Sequence, residues 1–503
     1  MIREEVDWSF IDVPMTETPV SEMVMDSISM VVEKPDPDNG SNNWAVSGDK
    51  SYSGNPILAN DPHLGLSLPS IWFVMQLSTP KHNAFGATLP GALGVISGFN
   101  NYISWGETNA KRDLVDWYKI EFDKNDSSKY KHDEQWKNVS FRIEEIKIRG
   151  GLTFKDTVRY THHGPVTYDT KFMGNGRYKG YAMKWIGHHG GNNQRTFLEL
   201  NSAKNYDDYV NALSHYTAPA QNFVFASVKG DIALWIQGKF PNKWNGQGKF
   251  LLDGSNPEHD WQSFIPQRFN VHIKNPKRGF VSSANQRPVN MMIIHYVVDD
   301  FYENYRNRVI NDFFNAKEKF DIQDFKDLHN NNYNLKAAEI LPFMITSLKD
   351  ADLNKEESLM LDELRTWNYL NNIDEVGPSI WASWWWKLYD LLWDEFDIKD
   401  VAMATPGSYH TVSLLKNNGR DSFMDIKNTQ KIENADDLFL ISFKETVASL
   451  TKWKAENGDY NWNAFKGTHV DHLLQGLPAF SRFNIPIGGG SEIVNATKEN
   501  HGP

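Results

Sequence analysis

Between residues 41 and about 118 the chain runs as short apolar segments at 43–47, 56–60, 71–77, 84–89, 94–97 and 102–105, broken by Gly, Pro and Asn. Runs of this length with this punctuation predict buried β-strands. Residues 141–148 and 152–161 alternate apolar and polar positions around Gly150-Gly151, and predict a hairpin. A second hairpin is expected over 222–226 and 232–236, turning at Lys229-Gly230-Asp231. Beyond residue 302 the period changes. Segments 305–314, 357–367, 380–393 and 436–454 carry apolar residues at spacings of three and four, which predicts helices. Trp381-Ala382-Ser383-Trp384-Trp385-Trp386-Lys387-Leu388 is apolar on nearly all sides and predicts a buried helix. Strands first and helices later, without strand–helix–strand alternation, make the fold class α+β.

Residues 1–40 have no periodicity and end in Glu33-Lys34-Pro35-Asp36-Pro37-Asp38-Asn39-Gly40, a tract suited to an exposed linker. The expected division is a lead-in over 1–40 and one domain over 41–503, helix-rich from about 302 to 454. At 503 residues, with 23% charged and 40% hydrophobic residues, the chain belongs with globular proteins of two layers or more. A net charge of −12 without a basic cluster argues against nucleic acid as a partner. No cysteine is present, which excludes disulfides, thiolate metal sites and a cysteine nucleophile. No apolar run reaches the roughly 18 residues needed to span a membrane, and the first 30 residues lack the basic start and apolar core of a signal peptide. The 18 tryptophans read first as core anchors, with stacking platforms for ligands as the rival.

Candidate chemistry begins at Gly40-Ser41. As plain sequence, Asn39-Gly40-Ser41 is a turn, and also a glycosylation acceptor. If the Gly40–Ser41 bond is cut, Ser41 becomes a chain start that carries nucleophile and base together. An α-amino group has a pKa of about 7.7–8.0, so near neutral pH it can take the proton from Oγ. No Gly-x-Ser-x-Gly elbow, His-Glu-x-x-His helix or phosphate-binding loop competes with this reading.

Ser41-Asn42-Asn43-Trp44, then Asn60-Asp61-Pro62-His63-Leu64, then Ile103-Ser104-Trp105-Gly106-Glu107-Thr108-Asn109 resemble, in order, the start of the β chain in the penicillin acylase family of N-terminal-nucleophile hydrolases. The resemblance continues to the last residue. It implies a four-layer αββα core with Ser41 opening a central strand. Ser41 is then the nucleophile. His63 matches a position that hydrogen-bonds the N-terminal serine, with a solvent-facing histidine as the alternative. Asn109 supplies a backbone N–H to the oxyanion hole, and Asn285, in Gly279-Phe280-Val281-Ser282-Ser283-Ala284-Asn285, supplies the side-chain donor. Arg306 matches the arginine beside the serine amine, with Arg308 as the alternative. Asp113, Val115 and Asp116 resemble the family's calcium loop, and Pro241 adds a backbone carbonyl. The supporting aspartate ahead of Arg306 is indistinct, Asp299 or Asp300 being nearest, and the α-chain glutamate is absent.

Tandem His162-His163 is read as framework, because adjacent strand residues point to opposite faces and one metal is not expected to take both. The function implied is amide hydrolysis of a small N-acyl compound, a β-lactam side-chain amide or an N-acyl-homoserine lactone, in the periplasm or outside the cell, with an α chain of the same precursor as companion. The chain resembles a fragment lacking most of that α chain and the C-terminal end. The rival from another class is a non-catalytic homologue or ligand-binding protein that does not mature.

Overall fold

In the computed structural model, residues 40–167, 180–289, 301, 303–398, 401–402, 405–417, 422–427, 429–474 and 478–497 are described. The linker before Gly40 and the candidates Asp299 and Asp300 lie outside them.

The strand that carries Ser41, Gly40–Val46, is the centre of a three-stranded antiparallel sheet, flanked by Ile57–His63 and Phe280–Ser283. All seven of its residues are buried, because layers cover both of its faces. Alternation along a strand sends successive side chains to opposite sides. Trp44 and Val46 therefore pack with Phe280, Ile310, Phe314 and Phe325 beneath the helices Tyr305–Ala316 and Ile322–His329. Ala45 turns the other way, to Val224, Leu234 and Ile273 of a second sheet.

That second sheet has seven antiparallel strands, in the order His272–Lys274, Ile232–Gln237, Gln221–Ser227, Ile103–Asn109, Ser97–Asn100, Asn83–Thr88 and Phe73–Ser78. Its outer face carries the helices Asn193–Leu200 and Tyr206–Leu213, whose Phe197, Leu200, Tyr209 and Leu213 pack on Trp105, Phe223 and Phe225. The layers run helix, sheet, sheet, helix. The two sheets approach so closely that a Cβ at Gly106 would lie 2.5 Å from Asn60 Cγ.

The helix-rich part packs Leu335–Ser347, Lys355–Thr366, Gly377–Leu392, Ser408–Asn417 and Ala435–Asn457 around one core. Trp381, Trp384 and Trp385 are buried there as expected, with Trp384 Nε1 donating to Ser442 Oγ at 3.0 Å. Asn434 caps the longest helix, and the Asp437 side chain accepts from the Asn434 backbone in return.

The hairpin Ser140–Ile146 with Phe154–Thr161 and the hairpin Gln221–Ser227 with Ile232–Gln237 form where the alternation predicts them. Two strand expectations shift. The run 94–97 is a turn followed by the strand Ser97–Asn100, because Gly94 takes a φ of +88° and its carbonyl accepts from Thr88 Oγ1. The run 102–105 continues to Asn109 despite polar residues, which the flanking layers pair and cover.

Candidate active site

The register Asn43–Ser283 and Trp44–Ser282, continued by two residues, brings Asn285 opposite Ser41. At that point the backbone leaves the ladder, for Asn285 has a φ of +66°, a left-handed conformation that Asn tolerates better than most residues. Its side chain takes over the pairing. Ser41 N–H donates to Asn285 Oδ1 at 2.6 Å, and Asn285 Nδ2 donates to the Asn109 carbonyl at 2.8 Å. Arg306, buried at the start of its helix, donates from Nη1 to the Ser41 carbonyl at 3.1 Å and to Asn42 Oδ1 at 2.7 Å, and from Nη2 to Asn285 Oδ1 at 2.9 Å. Two donors on Oδ1 and an acceptor at Nδ2 settle the orientation of the Asn285 amide. Ser41 Oγ donates to the carbonyl of Gly40. Space around that peptide is scarce: a Cβ at residue 40 would sit 2.7 Å from Arg306 Nη2 and 3.0 Å from Asn285 Oδ1.

The backbone of Asn109 has a free direction. Ala110 N–H donates to Ala220 O, and Val228 N–H to Tyr102 O, so even-numbered residues of this strand are the hydrogen-bonded partners of their neighbours. Asn109 faces Gln221 in a non-hydrogen-bonded pair, which turns its N–H away from that strand. On the other side Ser97–Asn100 pairs only with Ser104 and Trp105. Asn222 Nδ2 holds the Asn109 carbonyl from beside it at 3.1 Å.

His63 is buried, which removes the solvent-facing alternative. Its hydrogen-bond partners are Asp61 Oδ2, 2.9 Å from Nε2, and Asn42 Nδ2, at 3.3 Å; it makes no hydrogen bond to Ser41 while Gly40 is attached. Nε2 either donates to Asp61 or accepts from Asn42. Burial lowers the His63 imidazole below its ordinary 6.5, against the opposing pull of Asp61. Burial also acts to raise the Asp61 carboxyl, but the hydrogen bonds and charges of His329 and His63 outweigh it and hold the carboxyl well below the usual range. Asn42, Asp61 and His329 were not singled out from sequence. Asn42 and Asp61 sit inside the motifs that hold Ser41 and His63, with nothing local to mark them as site residues. His329, whose ring centroid lies 4.6 Å from that of Trp44, is brought in only by the helix Ile322–His329. Arg308 pairs with Glu339, leaving Arg306 as the arginine at Ser41.

The calcium reading meets a different cation. Lys243 Nζ lies 2.8 Å from Asp113 Oδ1 and 2.8 Å from Asp116 Oδ1, with its side chain 1% exposed. Trp261 Nε1 donates to the second Asp116 oxygen. Val115 pairs with Trp185 and Pro241 with Phe264 in short strands. Calcium takes six to eight oxygen ligands, whereas these two carboxylates are bridged by an ammonium. As arranged, Asp113, Val115, Asp116 and Pro241 do not fit a divalent ion. The lysine lies 127 residues from Asp116 along the chain.

Glu107, on the strand that ends at Asn109, has a buried Oε2 without a hydrogen-bond partner, and burial pushes its carboxyl from an ordinary 4.5 up to about 8. The folded chain therefore keeps this proton over a range in which the unfolded chain releases it. The contribution to stability is fully present below about 4.5 and is lost as pH rises towards 8, at up to about 1.4 kcal/mol per pH unit. Glu107→Gln is expected to flatten the fall in stability between pH 5 and 8, read from urea midpoints at each pH.

Four layers with a serine-led central strand, an amide and an arginine on its backbone define the N-terminal-nucleophile hydrolase fold. The penicillin amidase family model matches residues 5–503, and the chain belongs to that family. It is 30% identical over 250 residues to an acyl-homoserine lactone acylase, QuiP, of Pseudomonas fluorescens (strain Pf0-1), covering 50% of this chain and 30% of that one. It is 25% identical over 294 residues to the penicillin acylase 2 proenzyme of Pseudomonas sp. (strain SE83), covering 58% of this chain and 37% of that one. The matches thus span about a third of these relatives. A thermostable penicillin G acylase from Alcaligenes faecalis has the same fold, with a TM-score of 0.68 at 16% identity over 83% of this chain and 80% of that one.

Proposed function

We propose that this chain is an amide hydrolase that removes the acyl group from a small N-acyl compound through an ester on Ser41, formed after the Gly40–Ser41 bond is cut. The observation that carries the reading is the hydrogen bond from Ser41 N to Asn285 Oδ1. In maturation, Ser41 Oγ adds to the Gly40 carbonyl carbon, the bond from that carbon to Ser41 N breaks, and the nitrogen takes the hydroxyl proton. Water then hydrolyses the ester, leaving a carboxyl on Gly40 and a free amine on Ser41. The contact between Oγ and the Gly40 carbonyl group supports this direction of attack.

In turnover the amine, held by Asn285 Oδ1, takes the Oγ proton as Oγ attacks the substrate carbonyl. The oxyanion is met by Asn109 N–H and the second hydrogen of Asn285 Nδ2. The C–N bond breaks, the leaving amine takes the proton, and water releases the acid from the acyl ester. Arg306 positions Ser41 and Asn285. Asp61 and Asn42 orient His63 beside the first strand.

An N-acyl-homoserine lactone is the favoured substrate, because the Pseudomonas fluorescens relative is named for that activity and matches at higher identity than the penicillin acylase proenzyme. Val74, Phe85 and Phe99 leave apolar surface exposed on one face of the strands at one edge of the large sheet, a face suited to a companion α chain. Among the described residues no helix is long and apolar enough to cross a membrane, and a periplasmic or secreted location is part of the proposal.

Incubation with a slowly hydrolysed p-nitrophenyl acyl ester, followed by peptide mass mapping, tests the nucleophile. The expected result is one acyl group on the peptide beginning at Ser41. An adduct on another residue, or hydrolysis that persists in Ser41→Ala, overturns the proposal.

A further inference from the structure

The strand Lys129–His132, the turn at His162-His163 and the segment 254–260 meet away from Ser41. The face-alternation argument against the tandem histidines fails here. Thr161 pairs with Gly164, so His162 and His163 are the two central residues of a turn rather than strand residues, and their ring centroids lie only 3.8 Å apart. His132 brings a third imidazole and Asp260 a carboxylate. One ligand atom from each of the four lies within 4.8 Å of every other.

The hydrogen bonds around this cluster dictate which nitrogens are bare. His132 Nδ1 and His163 Nε2 lie 3.1 and 3.0 Å from the Gly254 carbonyl, an acceptor, and so both donate to it. In the neutral rings His132 Nε2 and His163 Nδ1 then carry lone pairs. Both aim at Asp260: His132 Nε2 is 3.3 Å from Oδ2, and His163 Nδ1 is 3.5 Å from Oδ1 with no hydrogen-bond partner although buried. His162 Nε2 is 3.3 Å from Oδ1, with its Nδ1 3.1 Å from Tyr130 Oη. Lone pairs facing a carboxylate repel it unless a cation lies between them.

The geometry points to a transition-metal site, three imidazoles and one carboxylate, made by His132, His162, His163 and Asp260 and suited to tetrahedral Zn2+. Zinc bonds of about 2.0–2.1 Å place tetrahedral ligand atoms about 3.3–3.4 Å apart. The separations from His162 and His163 to Asp260 Oδ1 already lie near that edge, His132 faces the other oxygen, Oδ2, and no pair of ligand atoms has more than about 1.4 Å to close. Outer partners that hold each ligating imidazole by its other nitrogen are the rule at zinc sites. Gly254 does this for two rings and Tyr130 for the third. His132 and His163 are 4% and 1% exposed. With four protein ligands the site is closed, and its role is to join three chain segments, not to activate water. It does not share ligands with the Lys243 cluster, although Trp261, next to Asp260, reaches Asp116.

The test is titration of the purified chain, stripped with chelator and dialysed, with Zn2+ and separately with Co2+. The expected result is one Zn2+ per chain, a raised Tm, and the intense visible absorption of tetrahedral Co2+. His162→Gln, at the more exposed ligand, is expected to weaken Zn2+ binding by more than the roughly 10–100-fold that loss of an outer partner costs, with an unchanged circular dichroism spectrum. Asp260→Asn is the second variant, should the first not fold. No Zn2+ uptake by folded wild type at tens of micromolar metal, octahedral Co2+, or binding undiminished in folded variants overturns the assignment.

Discussion

Asn285→Ala is expected to lower kcat/KM by about 10²–10³ while leaving the fold intact, the loss seen when one oxyanion donor is removed from a comparable site. The side chain does two jobs with two atoms. Oδ1 accepts from Ser41 N and Arg306 Nη2, and Nδ2 donates to Asn109 O with one hydrogen to spare. Alanine removes both. The loss should fall mainly on kcat, because the spare hydrogen meets a charge that exists only after attack. Asn285→Asp separates the two roles: it keeps an acceptor for the Ser41 amine but has no donor, and its activity should stay near that of the alanine variant. Steady-state kinetics with a chromogenic acyl amide and a circular dichroism spectrum of each variant provide the check. Activity within about threefold of wild type in Asn285→Ala would remove this residue from the account.

Lys243→Met is expected to destabilise the fold by about 3–5 kcal/mol, the cost of breaking a buried ion pair from one side. The ammonium is nearly inaccessible and bridges two carboxylates, of which that of Asp116 is 0% exposed. Without it those carboxylates lose the ammonium that bridges them, while Trp261 Nε1 still donates to Asp116. Adding Asp116→Asn to Lys243→Met should recover part of the loss, since one uncompensated charge is removed. Because a lysine supplies the positive charge, the Tm of wild type should move by less than about 1 °C between excess Ca2+ and excess EGTA, whereas a site holding calcium at 100 times its Kd would gain about 2.7 kcal/mol. Thermal melts of the four samples decide it.

The elements nearest Ser41 were readable because their sequence is locally decisive. A polar turn running into Asn43-Trp44-Ala45-Val46 leaves few alternatives to a buried strand, and the Ile232–Gln237 hairpin announces its own turn. Ser41, Asn285 and Arg306 are in contact, and Glu339 draws Arg308 away from them. Long-range partners were not legible. Lys243 enters the Asp113–Asp116 loop from a distant strand end, and nothing local marks it as a buried cation. His329 reaches Asp61 through helix packing. The tandem histidines failed for another reason: alternation holds only inside a strand, and a two-residue turn between Thr161 and Gly164 directs both rings to one side.

The central claim is that Ser41 becomes a chain start and works through its own amine. Intact mass and N-terminal sequencing of the purified chain, beside Ser41→Ala, test it most directly. The account predicts a large fragment beginning Ser-Asn-Asn-Trp from wild type and an uncut chain from the variant. Acyl-amide hydrolysis by a chain that remains whole, or cutting at Gly40–Ser41 that persists in Ser41→Ala, would contradict it.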